Sequence, residues 1–437
     1  MSTIMSIKSP NESLYELGLN TLKSLEVPNG VLASARHEIY GCIFGRDSLI
    51  VALRLLSAYT IHQDPYYLHV AQKIIRGLAA LQGKEINIES GEEPGKCIHE
   101  FRQQNHEHLT KGAAKWYLYE DGAMRNFDSL DATPLFLIAA YRYWQKSQDS
   151  AFIESIMPNI ERALVWVNEC GDKNGDEFLD YQLHQDRKHG GLMVQSWMDS
   201  SESLFHEEPG EIMFPIAPVE AQAYAYLALT LWSDYFNGKK DFMAKDLLAK
   251  ARHIKKQFNK KFVIQENGRL AIASAIDGAG KPLASVRSSM GHILWASINH
   301  QDDGRTDSIL DERHIPLLIK RLLEPDIFEP SAGIRTLSKK SKAFEAMSYH
   351  NGSIWPHDTS LIAEGMDKLG YHEEAQKIRH AIFSAYTHFN SPIELFSFSE
   401  DKFQQYQSPT GHAACQQQAW SAASMIVDAL SLKNHPY

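Results

Sequence analysis

Carboxylates that stand beside large aromatic or apolar side chains are the residues of this sequence best suited to chemistry. Asp199 follows Trp197 by two positions, and Glu394 lies among apolar residues in the segment 392–396. Apolar surroundings disfavour the charged form of a carboxyl group and raise its pKa, so that the group can hold a proton near neutral pH. Hydrolysis of a glycosidic bond uses two carboxyl groups on opposite sides of the bond that breaks. Glu394 taken alone is equally compatible with a buried structural carboxylate.

A second group of candidates lies in residues 347–358, the stretch that is densest in polar and aromatic side chains. It contains His350, Trp355 and His357. This mixture suits a sugar, because a pyranose has apolar faces that stack on aromatic rings and hydroxyl groups that bind charged or amide side chains. The two histidines do not have HExxH spacing and have no suitable acid between them, so no zinc site is expected.

Further charged or amide residues lie in a predicted loop or in the first turn of the helix that follows one. They are Arg46, Asp47, Glu100, Arg102, Asp131, Glu220 and Gln417. Three of them have a structural alternative: Asp47 could cap a helix, Arg46 could form a surface ion pair, and Asp131 could be the N-cap of the next helix. They can contact one substrate only if the fold brings their loops together.

The sequence predicts neither a metal ion nor an organic cofactor. Residues 172–176, Asp-Lys-Asn-Gly-Asp, have some character of a calcium loop, but the segment lacks the glutamate that an EF-hand requires. We interpret it as a solvated turn. The four cysteines are far apart, with no CxxC pair and no metal-ligand spacing, which suits free thiols in a reducing compartment.

Twelve segments with helical apolar spacing would position these candidates. They cover residues 11–26, 46–62, 65–82, 131–148, 150–170, 218–237, 240–261, 285–299, 311–323, 357–369, 372–389 and 414–432. Short links alternate with long loops, and short links make neighbouring helices antiparallel, so all long loops should emerge at one end. The pattern predicts an all-α fold, a closed ring of six helical hairpins with a cleft at one mouth. An open superhelical array is the alternative, but no residue-level repeat is visible.

We interpret residues 1–437 as a single domain, because the helical unit recurs without a Pro-, Gly- or Ser-rich linker. The sequence has 44 Lys and Arg against 54 Asp and Glu, a net charge of −10 without a basic stripe, which argues against a nucleic-acid partner. No apolar run is long enough to span a membrane, and residues 1–13 lack the apolar core of a secretory signal. We therefore expect a cytoplasmic protein, whose oligomeric state the sequence does not predict.

Eight motifs follow one another along the chain: FGRDSLI (44–50), EEPGKCIHEFR (92–102), DATPLF (131–136), WMDS (197–200), APVEAQAYAY (217–226), GIRTLS (333–338), MSYHNGSIWPHD (347–358) and ELF (394–396). Together they resemble the glucosidase domain of glycogen-debranching enzymes, the amylo-α-1,6-glucosidase family of six-hairpin toroid glycosidases. The resemblance implies an (α/α)6 barrel and inverting hydrolysis of α-glucosidic bonds without metal or cofactor. It also implies that Asp199 donates a proton to the leaving oxygen while Glu394 activates water as the base.

The resemblance assigns expected roles to the other candidates. Residues expected to bind hydroxyls of the sugar in the cleaved subsite are Arg46, Asp47 and Asp131. Residues expected to form stacking walls or further polar contacts are Trp197, Trp355, His350 and His357. Additional candidates for substrate contact are Glu100, Arg102, Glu220 and Gln417. Glu220 is also the main alternative to Asp199 as the acid, because both are expected near the same rim.

The expected partner is an α-linked glucose-containing oligosaccharide or a small glucoside. Debranching enzymes commonly carry an additional N-terminal domain, and none is expected ahead of these helical segments, so a glucosylated compatible solute is an alternative to a branched polymer. A glycoside phosphorylase would replace the base and water by phosphate, but the residues around Glu394 are apolar and acidic. A carbohydrate-binding toroid without turnover, a polysaccharide lyase or an epimerase would also be compatible with the fold.

Overall fold

A computed structural model describes residues 9–112, 115–266, 269–300, 305–409 and 411–434. Every predicted helical segment overlaps an observed α-helix. The helices are α1 (Pro10–Leu25), α2 (Gly45–Ile61), α3 (Pro65–Ala80), α4 (Glu107–Thr110), α5 (Ala132–Ser147), α6 (Ser150–Val165), α7 (Val219–Phe236), α8 (Asp241–Lys261), α9 (His292–Trp295), α10 (Ile315–Leu322), α11 (Pro356–Lys368), α12 (His372–Phe389) and α13 (Ala419–Asn434).

The long connections contain short strands, which the helical periodicity did not predict. The strands are β1 (Glu26–Val27), β2 (Gly30–Val31), β3 (Ile43–Phe44), β4 (Glu100–Arg102), β5 (Met124–Asn126), β6 (Ala217–Pro218), β7 (Val263–Glu266), β8 (Arg269–Ile272), β9 (Ala275–Ile276), β10 (Pro282–Leu283), β11 (Ile298–His300), β12 (Arg305–Asp307), β13 (Phe328–Glu329), β14 (Gly333–Ile334), β15 (Phe396–Ser399) and β16 (Lys402–Gln405). They pair as small antiparallel sheets, in the orders β1-β2, β3-β4-β5, β6-β9-β10, β7-β8, β11-β12, β13-β14 and β15-β16. The sheets β3-β4-β5 and β6-β9-β10 each join two different connections, whereas the other five sheets are hairpins within one connection.

Six helices contact one another in cyclic order: α2, α5, α7, α9, α11 and α13, with α13 contacting α2 again. A second set packs outside this ring, with α3 on α2, α6 on α5, α8 on α7, α12 on α11 and α1 on α13. Most residues of α5 and α7 are buried, whereas α8 buries one stripe of residues spaced three or four apart. Helices joined by short links therefore pack as hairpins, as the loop lengths predicted. In the part of the chain that is described, no helix combines the length and the apolar character needed to cross a membrane.

The segment 285–299 is much less helical than predicted. A 3-10 turn (Ser288–Gly291) and the four-residue α9 occupy its middle, and β11 occupies its end. Gly291 is the residue before α9, and a Cβ added there would lie 2.6 Å from the side chain of Ile362 on α11. The start of α9 therefore packs very closely against α11. β11 then pairs with β12 where a short link was predicted. Apolar spacing alone does not separate a short helix from a strand, which explains the error.

Local signals account for several helix starts. Ser9 accepts a hydrogen bond from the Glu12 backbone N–H, and the Glu12 side chain accepts one from the Ser9 N–H, which forms a capping box for α1. Asp64 caps α3 through the N–H of Tyr66. Asp149 is the N-cap of α6, one residue before the predicted start. These caps satisfy N–H groups that have no partner within the helix.

Arg54 of α2 lies in a charged network inside the ring. It pairs with Glu364 of α11, and its Nη2 lies 3.7 Å from a carboxylate oxygen of Asp428 on α13. Burial alone would raise the pKa of Glu364, but Lys368 and Arg54 lower it to about 2. One arginine thus links three ring helices through buried charges.

Replacing Arg54 by methionine is expected to destabilise the fold by about 1–3 kcal/mol, because Glu364 and Asp428 would lose a buried hydrogen-bonding cation and keep only Lys368 and Arg379, respectively, as charged partners. Urea unfolding followed by circular dichroism measures the free energy of unfolding. Arg313→Met is the control, since Arg313 is exposed and makes only a surface ion pair. Equal stability of the two variants would mean that the buried network contributes little.

Candidate active site

The N-terminal ends of α2, α11 and α13 surround a cavity of about 50 Å³ that opens to solvent. The lining residues are Tyr40, Phe44, Arg46, Asp47, His99, Trp197, Asp199, Tyr349, His350, Trp355, Glu394, Gln418 and Trp420. They come from loops that are far apart in sequence, so the fold does bring the polar loop segments together at one place.

Asp199 is held at this cavity by Arg46. Arg46 Nη1 donates a hydrogen bond to the Asp199 carboxylate at 3.0 Å, and Nη2 donates to the carbonyl of Ser196 at 2.8 Å. Arg46 Nε donates to Asp131 at 2.7 Å. The Asp199 side chain is 26% exposed and reaches the cavity. Burial raises the pKa of Asp199 above its usual value, although Arg46 opposes the shift.

Glu394 lies on the same cavity but has different partners. The Tyr349 hydroxyl donates to one carboxylate oxygen, and the backbone N–H of Cys415 donates to the other at 2.8 Å. The hydroxyls of Tyr349 and Tyr40 lie 3.2 Å apart, which extends the chain of polar groups. Burial raises the pKa of Glu394 to about 7, although both hydrogen bonds favour the ionised form. A substantial fraction of Glu394 is therefore ionised at neutral pH.

Asp47 adds a third carboxyl group to the cavity. It belongs to the first turn of α2, which begins at Gly45. A Cβ added at Gly45 would lie 1.9 Å from the carbonyl oxygen of Ile98, so only glycine allows this helix start to approach so closely. Burial raises the pKa of Asp47 to about 8, and the charges of Asp199 and Glu394 contribute in the same direction. Asp47 is thus mostly protonated at neutral pH and can donate a hydrogen bond to a hydroxyl group.

Aromatic rings form the walls of the cavity. Trp197 and Trp355 meet edge to face with centroids 5.7 Å apart, and His350 stacks on Trp355 at 5.1 Å. His357 lies behind the lining and stacks on Trp420 at 3.7 Å. Burial lowers the pKa of both histidines well below the usual value, so they are neutral. The site therefore combines apolar ring faces with neutral hydrogen-bonding groups, as sugar binding requires.

Three residues predicted to contact the substrate do not line the cavity and are bound to other protein groups instead. Asp131 is fully buried and accepts hydrogen bonds from Arg46 and from Ser129. Glu100 and Arg102 are buried and pair with each other. Buried charges require such partners, and these contacts use the groups that were expected to bind hydroxyls. The prediction that they contact the sugar directly is not supported by this placement.

Two other predicted contacts also lie off the cavity. Glu220 lies in the first turn of α7 and does not line the cavity. Its carboxylate accepts a hydrogen bond from the backbone N–H of Trp197 at 3.2 Å and lines a separate cavity with Arg287. Burial raises the pKa of Glu220 to about 7. The side chain of Gln417 is exposed, and its neighbour Gln418 lines the cavity.

Several lining residues were not selected from the sequence. They are Tyr40, Phe44, His99, Tyr349, Gln418 and Trp420. Tyr349 stands next to His350 in the polar stretch 347–358, and its phenol could have been selected on the same grounds. Tyr40 lies in a loop without a distinguishing neighbour, so only its proximity to Tyr349 in the folded chain reveals it.

Comparisons with known proteins give the family of the chain and solved structures with a similar fold. The family model described as amylo-alpha-1,6-glucosidase matches residues 80–427. No curated protein matches the sequence.

Solved structures share the fold. A GH63 mannosylglycerate hydrolase from Thermus thermophilus, in complex with Tris, is 14% identical, with a TM-score of 0.65 over 95% of this chain and 99% of that chain. The same hydrolase in complex with glucose is 13% identical over 95% and 99%, with a TM-score of 0.63. A glycosidase in complex with glucose is 12% identical over 99% and 100%, with a TM-score of 0.55.

Proposed function

This chain belongs to the amylo-alpha-1,6-glucosidase family, whose model matches residues 80–427, and from that premise we propose that it hydrolyses an α-glucosidic bond with inversion at the anomeric carbon. One observation carries the proposal: the carboxyl groups of Asp199 and Glu394 line one cavity, and each accepts a hydrogen bond from a different donor, Arg46 for Asp199 and Tyr349 for Glu394. The more general statement, that the protein is a glycoside hydrolase, follows from the family itself.

In this mechanism the two carboxyl groups act in one step. Protonated Asp199 gives its proton to the glycosidic oxygen as the bond to the anomeric carbon breaks. Ionised Glu394 takes a proton from a water molecule that attacks the same carbon from the opposite face. Burial raises the pKa of both carboxyl groups, so the pKa shifts do not separate the two roles. The Trp-x-Asp segment that Asp199 shares with the family supports its acid role, and the hydrogen bonds that Tyr349 and Cys415 donate to Glu394 support the base role. After each turnover Glu394 holds a proton that it must release to solvent, and Asp199 must take up a proton before it can act again.

We also propose that the helices form an (α/α)6 barrel and that the chain is one catalytic domain. The cyclic contacts of the six ring helices and the hairpin packing of the outer helices support both. A cytoplasmic location is a further proposal, supported by four free cysteines, of which three are buried.

For the substrate we propose a small α-glucoside or short oligosaccharide. The cavity is narrow, with a volume of about 50 Å³, and Trp197, Trp355 and Trp420 line its wall, so a single sugar unit fits it better than a branched polymer. Two of the solved structures named above hold glucose, and the mannosylglycerate hydrolase was also solved with Tris and D-glycerate, which makes small glycosides of hydroxy acids a reasonable part of a test panel.

The test is hydrolysis of isomaltose, maltose, panose and glucosylglycerate, with the anomer of the released sugar followed by proton NMR. We expect β-glucose as the first product from at least one substrate. First release of α-glucose would exclude inversion. If none of the four were cleaved, the proposed substrate class would be wrong.

A phosphorylase is less consistent with the cavity than a hydrolase. Among the described lining residues Arg46 is the only Lys or Arg, and its three guanidinium nitrogens already donate to Asp131, Asp199 and backbone carbonyls. A phosphate ion would need a free cation near the base. The rate of glucoside cleavage should therefore not depend on added phosphate.

Removing the Tyr349 hydroxyl is expected to shift the acidic limb of the pH–activity profile to higher pH. Glu394 must be ionised to act as a base, so kcat/KM should rise as the pH increases through about 7, the raised pKa of this residue. The Tyr349 hydrogen bond stabilises the ionised form, so its loss in Tyr349→Phe moves the limb to higher pH. Tyr406→Phe is the control, because Tyr406 contacts Tyr349 through its ring. Identical limbs in the two variants would contradict the assignment of Glu394.

A further inference from the structure

Three aspartates converge in the loop that follows α6. The helix ends at Val165, a π-helical turn follows at Trp166–Cys170, and the chain then forms the loop 172–180. Asp172, Asp176 and Asp180 each place one oxygen within 4.8 Å of the other two. Three carboxylates this close repel one another unless a cation lies between them.

Asp180 gives an independent indication of a ligand. Its side chain is buried, with only 1% of the residue exposed. One carboxylate oxygen accepts a hydrogen bond from the backbone N–H of Lys173 at 2.7 Å. The other oxygen, Oδ2, is enclosed by protein and has no hydrogen-bond partner in the described part of the chain. A buried carboxylate oxygen without a donor is costly, and the solvated turn predicted from the sequence does not account for it.

We propose that this loop binds a calcium ion through the carboxylates of Asp172, Asp176 and Asp180. Calcium prefers six to eight oxygen ligands in a flexible geometry, whereas magnesium requires a near-ideal octahedron. Three carboxylates in a nine-residue loop supply hard oxygen ligands, and backbone carbonyls or water can supply the others. Lys261 Nζ lies 3.4 Å from Asp176 Oδ2 and would be displaced from that oxygen by the ion.

The bound ion would stabilise the long connection between α6 and α7, which contains Asp199. Next to the ligands, the backbone N–H and carbonyl of Leu179 are both bonded to the side chain of Gln222 on α7, and Tyr181 pairs with Ile216 immediately before that helix. The loop therefore joins the end of α6 to the start of α7. None of its three carboxylates lines the catalytic cavity, so the proposal is independent of the proposed hydrolysis.

The test is thermal unfolding of the full chain after dialysis against a chelator. With about 10 mM CaCl2 we expect Tm to rise by about 3 °C, which corresponds to a free-ion concentration of roughly 100 times Kd for a chain of this length. Isothermal calorimetry should give one site with Kd of about 10⁻⁴ M, since the bidentate glutamate of an EF-hand is missing. The same concentration of MgCl2 should give less than half the shift.

Asp176→Asn keeps the size of the side chain but removes one charge, and Asp180→Asn does the same at the buried position. Both variants should lose the calcium-dependent shift and the calorimetric signal. Glu169→Gln is the matched control, because Glu169 is exposed and precedes the loop. The proposal is overturned if wild type shows no saturable calcium binding, if magnesium protects equally, or if both Asp variants respond as wild type does.

Discussion

The Glu394→Gln variant is expected to lose about 10²- to 10⁴-fold in kcat on every α-glucoside that the wild type hydrolyses. Glutamine keeps the shape of the side chain and can still accept the hydrogen bond from the Tyr349 hydroxyl. It cannot take a proton from the attacking water. KM should change little, because the substitution leaves in place the aromatic walls and Asp47, which are the proposed substrate contacts. Initial rates over a range of substrate concentrations separate the two constants.

Added azide distinguishes a missing base from a damaged site. Azide attacks without giving up a proton, so it should restore turnover of an activated α-glucoside by Glu394→Gln and yield the β-glycosyl azide. The control is Glu400→Gln, whose parent residue is exposed at the turn between β15 and β16. If azide gave the α-glycosyl product, or if the control lost as much activity, the role of Glu394 as the base of an inverting enzyme would be wrong.

The Asp199→Asn variant is expected to lose about 10²- to 10⁴-fold in kcat on alkyl glucosides, while its rate on α-glucosyl fluoride should stay within about tenfold of wild type. An alkoxide is a poor leaving group and requires the proton of Asp199. Fluoride requires much less protonation. The ratio of the two rates therefore measures acid catalysis rather than general damage to the site.

This ratio also separates Asp199 from Glu220. Glu220 lies behind the Trp197 backbone and lines another cavity, so Glu220→Gln should affect both substrates by the same factor. Glu202→Gln serves as the local control for Asp199, because Glu202 is exposed three residues further along the chain. The two assignments would be exchanged by the opposite result: Asp199→Asn loses equally on alkyl glucosides and on α-glucosyl fluoride, while Glu220→Gln loses much more on alkyl glucosides than on the fluoride.

The helix pattern and the loop lengths were sufficient to predict most of the helices and their packing as hairpins, because apolar spacing follows from burial and short links force antiparallel packing. They did not predict the small sheets, whose strands of two to four residues are too short to show a period of two. The length of α9 was overestimated for a related reason. Its position is fixed by close contact with α11 and not by a long amphipathic stripe.

For the site, residue type alone identified candidate polar side chains, but it did not predict which of them line the cavity and which bind other protein groups. Arg46 and Asp131 were both expected to bind hydroxyls, yet they bind each other, and Glu100 and Arg102 do the same. A charged residue that supports a site and one that contacts its substrate look alike in sequence. Gln417 and Gln418 differ by one position, and only the start of α13 decides which of them turns towards the cavity.

The contact of α13 with both α1 and α2 has a consequence for synthesis of the chain. A nascent polypeptide leaves the ribosome from its N-terminus, so α1 and α2 emerge more than 350 residues before the helix that covers them. During translation their apolar surfaces stay open to water and to neighbouring nascent chains. Such distant pairings form slowly and favour aggregation while they are incomplete. We therefore expect newly made chains to depend on chaperones that shield α1 and α2 until α13 packs against them.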